Sequence, residues 1–447
     1  MEFTHTPMIM AASVVTTYMA SVTPEVRTEH YVVPYISANV ALCYYLYARA
    51  DTLTALLISL GHANGCFLLI SAFLTTMRRL YLSPLARFPG PRIAAITGLW
   101  NVNEVRLGRV SRTHKALHEK YNSNIIRVGP NDLSINDVDA LDKLYGPKYL
   151  RGDFNQVFNI PACQVIGHMR HVQQVLRYLP TPADGERFSK TVDGILDAHR
   201  SLQPSSRDIL RRLQGRDKVT GSIIADQDQK QHVMLILTVG GHSVSTTLTC
   251  ILAALGSRPD IQEELVREMA FAFDGQGSFD VDSVGRLKML DCVVREGLRM
   301  FPPLQGGTPA LVPKGGIVLT TGEVLPEYAQ VYVGQRVLMM QERYFCKAAA
   351  FCPERWMKHE PPETDSPSVK EPRAWIPFGY GPHSCGGRAL AWQELKLVIV
   401  RLVWAFQIRF SHGDFDFDHW VAEIKEYFLS EPERIELVFE PRSPSAA

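Results

Sequence analysis

Residues 376–390 read IPFGYGPHSCGGRAL, one cysteine, Cys385, set among four glycines, two prolines and a histidine. Neither helix nor strand tolerates that density of glycine and proline, so this stretch is expected to be a loop. The residues that follow, ALAWQELKLVIVRLVWAF (389–406), have the apolar spacing of a helix. Cys385 therefore stands just ahead of a helix N-terminus, where unpaired N–H groups and the positive end of the dipole favour an anionic sulfur. The glycines would let backbone approach a flat ligand closely. Two blander interpretations compete. A cysteine beside glycines can simply pack, and Gly379-x-Gly381 hints at a phosphate cradle. Ser384, however, occupies the place of a dinucleotide fingerprint's third glycine, and no Gly-Lys-Ser/Thr follows.

The chain of 447 residues is 46% hydrophobic with a formal net charge of +1, so it can bury a large core and has no excess charge to neutralise a polyanion. Nucleic acid is excluded as a partner on that ground. The eight cysteines, at 43, 66, 163, 250, 292, 346, 352 and 385, include no C-x-x-C pair, and no histidine pair has zinc spacing. This argues against both a disulfide framework and a zinc finger. Acidic and basic residues are mixed along the chain, as on a solvated surface.

The N-terminal region is apolar. Residues 31–50 and 53–76 each approach the roughly 20 residues of a bilayer span, and 8–22 is a shorter run. His62 and Asn64 are costly at mid-bilayer unless they face another helix, so buried core helices are the alternative. A cleaved signal peptide fits poorly, because no basic stretch precedes the first run. Arg78 and Arg79 follow at once and place everything downstream in the cytosol, in keeping with unpaired cysteines. Three prolines and a glycine in LYLSPLARFPGPR (80–92) then make a stiff hinge. The expected organisation is a membrane anchor of two or three spans over 1–79, the hinge over 80–92, and a body over 93–447. That body should be mainly helical with a small β-rich part, its strand-like patches at 125–128, 317–320 and 435–439. Residues 358–373 read as an exposed proline-rich loop.

The spacing Phe378-x-x-Gly381-x-His383-x-Cys385-x-Gly387 resembles the haem-binding loop of the cytochrome P-450 family. The resemblance implies that Cys385 is the proximal thiolate on the iron of protoporphyrin IX. It further implies that Phe378 covers the proximal face and that His383 replaces the usual arginine at a haem propionate. In VVREGLRMFPP (293–303), Glu296 and Arg299 lie three apart on one helix face; taken alone they are an exposed pair worth roughly 0–1 kcal/mol. They resemble the family's E-x-x-R pair, and Arg355 in FCPERW (351–356) would complete its buried structural network.

A third stretch, HVMLILTVGGHSVSTTLTCILAAL (232–255), is a long apolar helix with glycines in its middle. Gly240 and Gly241 weaken a helix by about 1 kcal/mol each, which suggests a kink or a ligand groove. It resembles the family's distal helix, which carries a small-Gly-x-acid-Thr pattern. Two registers are open: His242 and Ser243 stand at the acid and threonine positions, or Ser243 and Val244 do. Neither supplies a carboxylate. Either His242 and Ser243 handle protons as catalytic residues, or the hydroxyls bond back to their own helix.

The hinge, residues 118–137 and nearly all of 232–441 resemble fungal membrane-bound members that decorate indole alkaloids and other secondary metabolites. Between about 155 and 230 the chain is shorter than the family. Arg170 is the nearest candidate there for a propionate-binding residue, and Ala310 stands where an arginine commonly sits. The resemblance implies a haem-thiolate monooxygenase that oxidises a small hydrophobic metabolite with O2. Electrons would come from NADPH through a membrane-bound NADPH-cytochrome P-450 reductase, with membrane lipid around the anchor, on the cytosolic face of the endoplasmic reticulum. The alternative is an internally truncated, catalytically impaired relative, or a haem isomerase or peroxygenase. A scaffold without haem would leave the cysteine loop unexplained.

Overall fold

The computed structural model describes residues 29–48, 50, 52–146, 150–151, 183–201, 208–213, 222, 224–273, 279–357, 367–427 and 429–442. Arg170, Cys163, the run 8–22 and most of the shortened stretch lie outside the described residues, as does 358–366 of the expected loop.

Among the described residues two apolar helices come first, Glu29–Tyr47 and Leu53–Met77, the second opened by Thr52, whose side chain accepts from the Ala55 N–H at 3.2 Å. Leu53–Leu82 is long and apolar enough to cross a membrane. By length and composition Asp226–Gly256 passes the same test, but it buries Cys250–Leu255 in the protein core. Proline enforces the hinge after Leu82, and the body fixes its path. The Arg127 N–H donates to the Pro89 carbonyl at 2.7 Å, and its guanidinium donates to the carbonyls of Arg79 at 2.7 Å, Gly129 at 3.1 Å and Pro130 at 2.7 Å. A Cβ on Gly90 would lie 2.1 Å from the Arg127 carbonyl oxygen, so only glycine lets the hinge lie this close.

Arg127 ends β1 (Ile125–Arg127), which pairs antiparallel with β2 (Asp132–Ile135). After β3 (Leu150–Arg151), β4 (Ala310–Leu311), β5 (Ile317–Val318), β6 (Val324–Leu325) and β7 (Gln330–Tyr332), the main sheet is complete in the order β1-β2-β7-β4-β3. Only the β2–β7 contact is parallel, with Leu133 beside Val331. The patch expected at 317–320 pairs only over β5, with β6. That expected at 435–439 begins two residues later, as Leu437–Pro441, against Phe406–Phe410. Leu133, Ile135, Leu141, Val331, Val333 and Phe345 form the sheet's core. His118 joins it from the helix Val110–Tyr121. Its Nδ1 lies 2.7 Å from the Ser123 carbonyl, which only accepts, so Nδ1 carries the proton and Nε2 accepts from the Ser134 hydroxyl at 2.9 Å. Burial lowers this imidazole to about 4.

The larger core lies among the helices Gly241–Gly256, Pro259–Phe273, Lys288–Met300 and Arg388–Ala405. The first and third touch so closely that a Cβ on Gly297 would meet Ile251 Cγ1 at 2.3 Å. Buried Gln262 ties this layer to the strand Phe406–Phe410, giving its amide to the Leu255 and Ile408 carbonyls and accepting from the Ile408 N–H, each at 2.8 Å. At Gly240-Gly241, where a kink or a ligand groove is expected, the helix widens into a π turn over Ile236–Gly240, between Asp226–Leu235 and Gly241–Gly256. A Cβ on either glycine would meet nothing within 4 Å. The turn is therefore not forced by crowding at those positions.

Candidate active site

The cysteine loop is built by two left-handed glycines, Gly379 at φ +76° and Gly381 at φ +72°. After them a short 3-10 turn, Gly381–His383, swings the chain back, so that the Cys385 N–H donates to the Phe378 carbonyl at 2.8 Å. Gly387 then opens the helix Arg388–Ala405. Cys385 lies on the exposed side of the loop with His383. A Cβ on Gly387 would sit 3.8 Å from the sulfur, and one on Gly386 would meet nothing within 4 Å. What pins the loop from behind carried no signal in the sequence. A Cβ on Gly381 would fall 1.9 Å from the Tyr145 carbonyl oxygen, the Tyr145 hydroxyl donates to the Thr308 carbonyl at 2.8 Å, and Tyr380 donates to Asp142 at 2.6 Å.

Phe378 packs edge-on to Trp375 at 6.3 Å and tilted against Trp392 at 6.2 Å, with the Arg388 guanidinium 5.5 Å from its ring. Arg295 lies 5.5 Å from both Trp375 and Trp392 and 6.0 Å from Trp356. This slab of indoles joins the sulfur loop to the helix Lys288–Met300. Such cation–aromatic contacts are each worth about 0.5–2 kcal/mol.

On that helix Glu296 receives Arg299 at 2.8 and 2.9 Å, Arg355 Nε at 3.0 Å, the Cys352 N–H at 3.0 Å and the Trp356 indole N–H at 3.0 Å. The side chains of Glu296, Arg299 and Arg355 have no exposed surface. The remaining guanidinium N–H groups find carbonyls: Arg299 those of Met339, Ala348 and Ala350, Arg355 those of Cys346, Lys347 and Ala350. Burial pushes the Glu296 carboxyl upward, but Arg299, Arg355 and these hydrogen bonds outweigh it and hold it below the usual range. The bland interpretation, a surface pair, does not hold for this constellation.

On the long helix, Ser243 Oγ donates to the Gly240 carbonyl at 3.3 Å, Ser245 to that of His242 at 3.0 Å and Thr249 to that of Ser245 at 2.9 Å. His242 is half-buried, its Nε2 3.4 Å from the Ser430 carbonyl in the hairpin of Lys425–Glu426 and Ser430–Glu431. Ala310 is buried in β4, and β3 places Arg151 opposite it in register.

Among the described residues no group of three or more histidine, cysteine or carboxylate side chains could hold a bare metal ion. A single sulfur, presented above a glycine-lined loop, suits a metal whose other ligands come from a flat prosthetic group. The cytochrome P450 family model matches residues 176–438, more than half of the sequence. The chain belongs to the cytochrome P450 family. Among curated relatives, Cytochrome P450 67 of Uromyces fabae is 24% identical over 82% of this chain and 88% of its own length. Tryprostatin B 6-hydroxylase of Aspergillus fumigatus is 24% identical over 90% of both. Cytochrome P450 monooxygenase BOT4 of Botryotinia fuckeliana is 31% identical over 48% of this chain and 39% of its own. The alignment to the Aspergillus protein runs over 516 positions, more than the 447 residues of this chain. The Aspergillus protein therefore carries segments without a counterpart in this P450. Membership makes the protein an oxidoreductase of monooxygenase type, and implies a haem bound through a cysteine thiolate.

Proposed function

We propose that this P450 uses Cys385 as the axial ligand of a haem and oxidises a small hydrophobic secondary metabolite, with electrons passed from NADPH by a reductase at the endoplasmic reticulum membrane. The observation that carries this reading is the closure of the loop by the Cys385 N–H on the Phe378 carbonyl at 2.8 Å, which holds one sulfur ahead of a helix start. When bound, the haem would supply the activation of O2. The protein's own part is positional. Phe378 and the indoles behind it form an aromatic wall beside the sulfur loop, Tyr145 fixes the loop through Gly381, and Glu296 with Arg299 and Arg355 ties together the segments behind it. His383 is the loop residue suited to meet a haem carboxylate. On the long helix, His242 Nε2 faces the Ser430 carbonyl and so carries the hydrogen, which leaves Nδ1 as the nitrogen that can accept a proton.

The name of the Aspergillus relative, tryprostatin B 6-hydroxylase, supports hydroxylation of a secondary metabolite, and small hydrophobic indole alkaloids are the first class to screen. The test is a reduced, CO-treated difference spectrum of the full chain beside Cys385→Ala. A red-shifted Soret band that vanishes in the variant supports thiolate ligation; a band that survives removes Cys385 from the role. A non-oxygenating relative is the second reading, favoured by the return of the Ser243, Ser245 and Thr249 hydroxyls to their own helix. It predicts the same spectrum with NADPH oxidised but no oxygenated product.

A further inference from the structure

We infer that Glu29–Tyr47 and Leu53–Met77 form a two-span hairpin in a lipid bilayer, clasped at mid-depth by Tyr35, Asn39 and Asn64; this rests on the membrane reading above and specifies its topology. Asn64 is the residue that should oppose insertion, since an amide in hydrocarbon without partners costs several kcal/mol. Its needs are met across the helix pair: the Tyr35 hydroxyl donates to Asn64 Oδ1 at 2.5 Å, and Asn64 Nδ2 donates to Asn39 Oδ1 at 2.7 Å and to the Leu60 carbonyl at 2.9 Å. Asn39 in turn gives its amide to the Tyr35 carbonyl at 2.9 Å, and the Tyr35 ring lies 5.8 Å from Phe67. The polar groups of this clasp face the partner helix; His62, on the same span, is exposed, with its Nε2 3.6 Å from Cys66 Sγ, and Ile36, Val40, Leu57, Leu68, Leu69 and Phe73 also face outward.

Lipid is the occupant that suits this outer surface. Leu53–Met77 carries no charged residue over its 25 residues, long enough for a bilayer core at about 1.5 Å per residue. Tyrosines mark both borders, Tyr44, Tyr45 and Tyr47 at the connection and Tyr81 beside Arg78 and Arg79 at the body, as expected of interfacial anchors. The connection is too short to cross a bilayer, so Glu29 and the body share one side of the membrane.

The experiment inserts a flexible Gly/Ser segment of about 30 residues bearing an N-x-T acceptor either after Ala50 or before Glu29 of the full chain, expressed in microsomes. The hairpin predicts glycosylation of the first insertion alone. Sugar on both would show that Glu29–Tyr47 does not span and overturn the hairpin. Sugar only on the second would invert it and equally overturn it. Sugar on neither, with the protein extracted by carbonate, would mean that the anchor reading itself has failed.

Discussion

Glu296 and Arg355 stand 59 residues apart in the chain and meet at 3.0 Å with neither side chain exposed. Removing one partner leaves the other charged, buried and short of its hydrogen bonds. Arg355→Leu should cost on the order of 3–5 kcal/mol, and Glu296→Gln a similar amount. Urea unfolding read by far-UV circular dichroism checks this; a change below about 0.5 kcal/mol would show that the network does not bear on stability.

The buried His118 makes stability depend on pH. Its imidazole sits at about 4 in the fold against about 6.5 in the unfolded chain, so between those values the unfolded state binds the extra proton. Its contribution is full above pH 6.5 and shrinks on acidification to about pH 4, by about 3 kcal/mol in all. Asp132, which burial pushes up to about 6, works in the opposite sense over that window. Unfolding free energies at pH 7 and 4.5, for wild type and His118→Gln, isolate the histidine: the variant should lose less on acidification.

Gly381 combines a left-handed backbone with contact against the Tyr145 carbonyl. Gly381→Ala adds about 1–2 kcal/mol of backbone cost to a clash that only a shift of the loop can relieve. The expected result is a diminished red-shifted CO band in otherwise folded protein. Gly386→Ala, whose Cβ would meet nothing within 4 Å, is the matched comparison and should keep the band.

On the distal helix the two candidates should separate. Ser243→Ala removes a hydroxyl already turned to the Gly240 carbonyl and should change little. If His242 relays protons, His242→Ala should lower product formed per NADPH consumed by about tenfold or more, with substrate-binding spectra unchanged. An unchanged coupling ratio would take His242 out of catalysis.

The sulfur loop and the Glu296–Arg299 pair were legible because glycine placement and i,i+3 spacing are local, and local chemistry survives in a sequence. Cytochrome P450 membership and a mainly helical body followed from the same motifs. Tyr145, Asp142 and the indoles around Arg295 were not legible, since they meet the loop through the tertiary fold. The burial of His118 depends likewise on Ser134, sixteen residues away in another element. The expectation of a kink or a groove at Gly240-Gly241 came from propensity alone, which records that glycine loosens a helix but not that the slack is taken up as a π turn.

That slack is one additional residue in a single turn, and it uncouples counting from angle. Each helical residue represents about 100° of rotation, so the two ends of the helix are out of phase with an uninterrupted one by that amount. The ambiguity over which residues occupy the acid and threonine positions is an azimuthal question, and aligned columns do not answer it. Deleting any one residue of Ile236–Gly240 would revolve the Asp226–Leu235 half against a core fixed by Cys250–Leu255. Val233 would swing away from Val192 and Leu196, its packing partners, and a loss of one codon would act as a change of face.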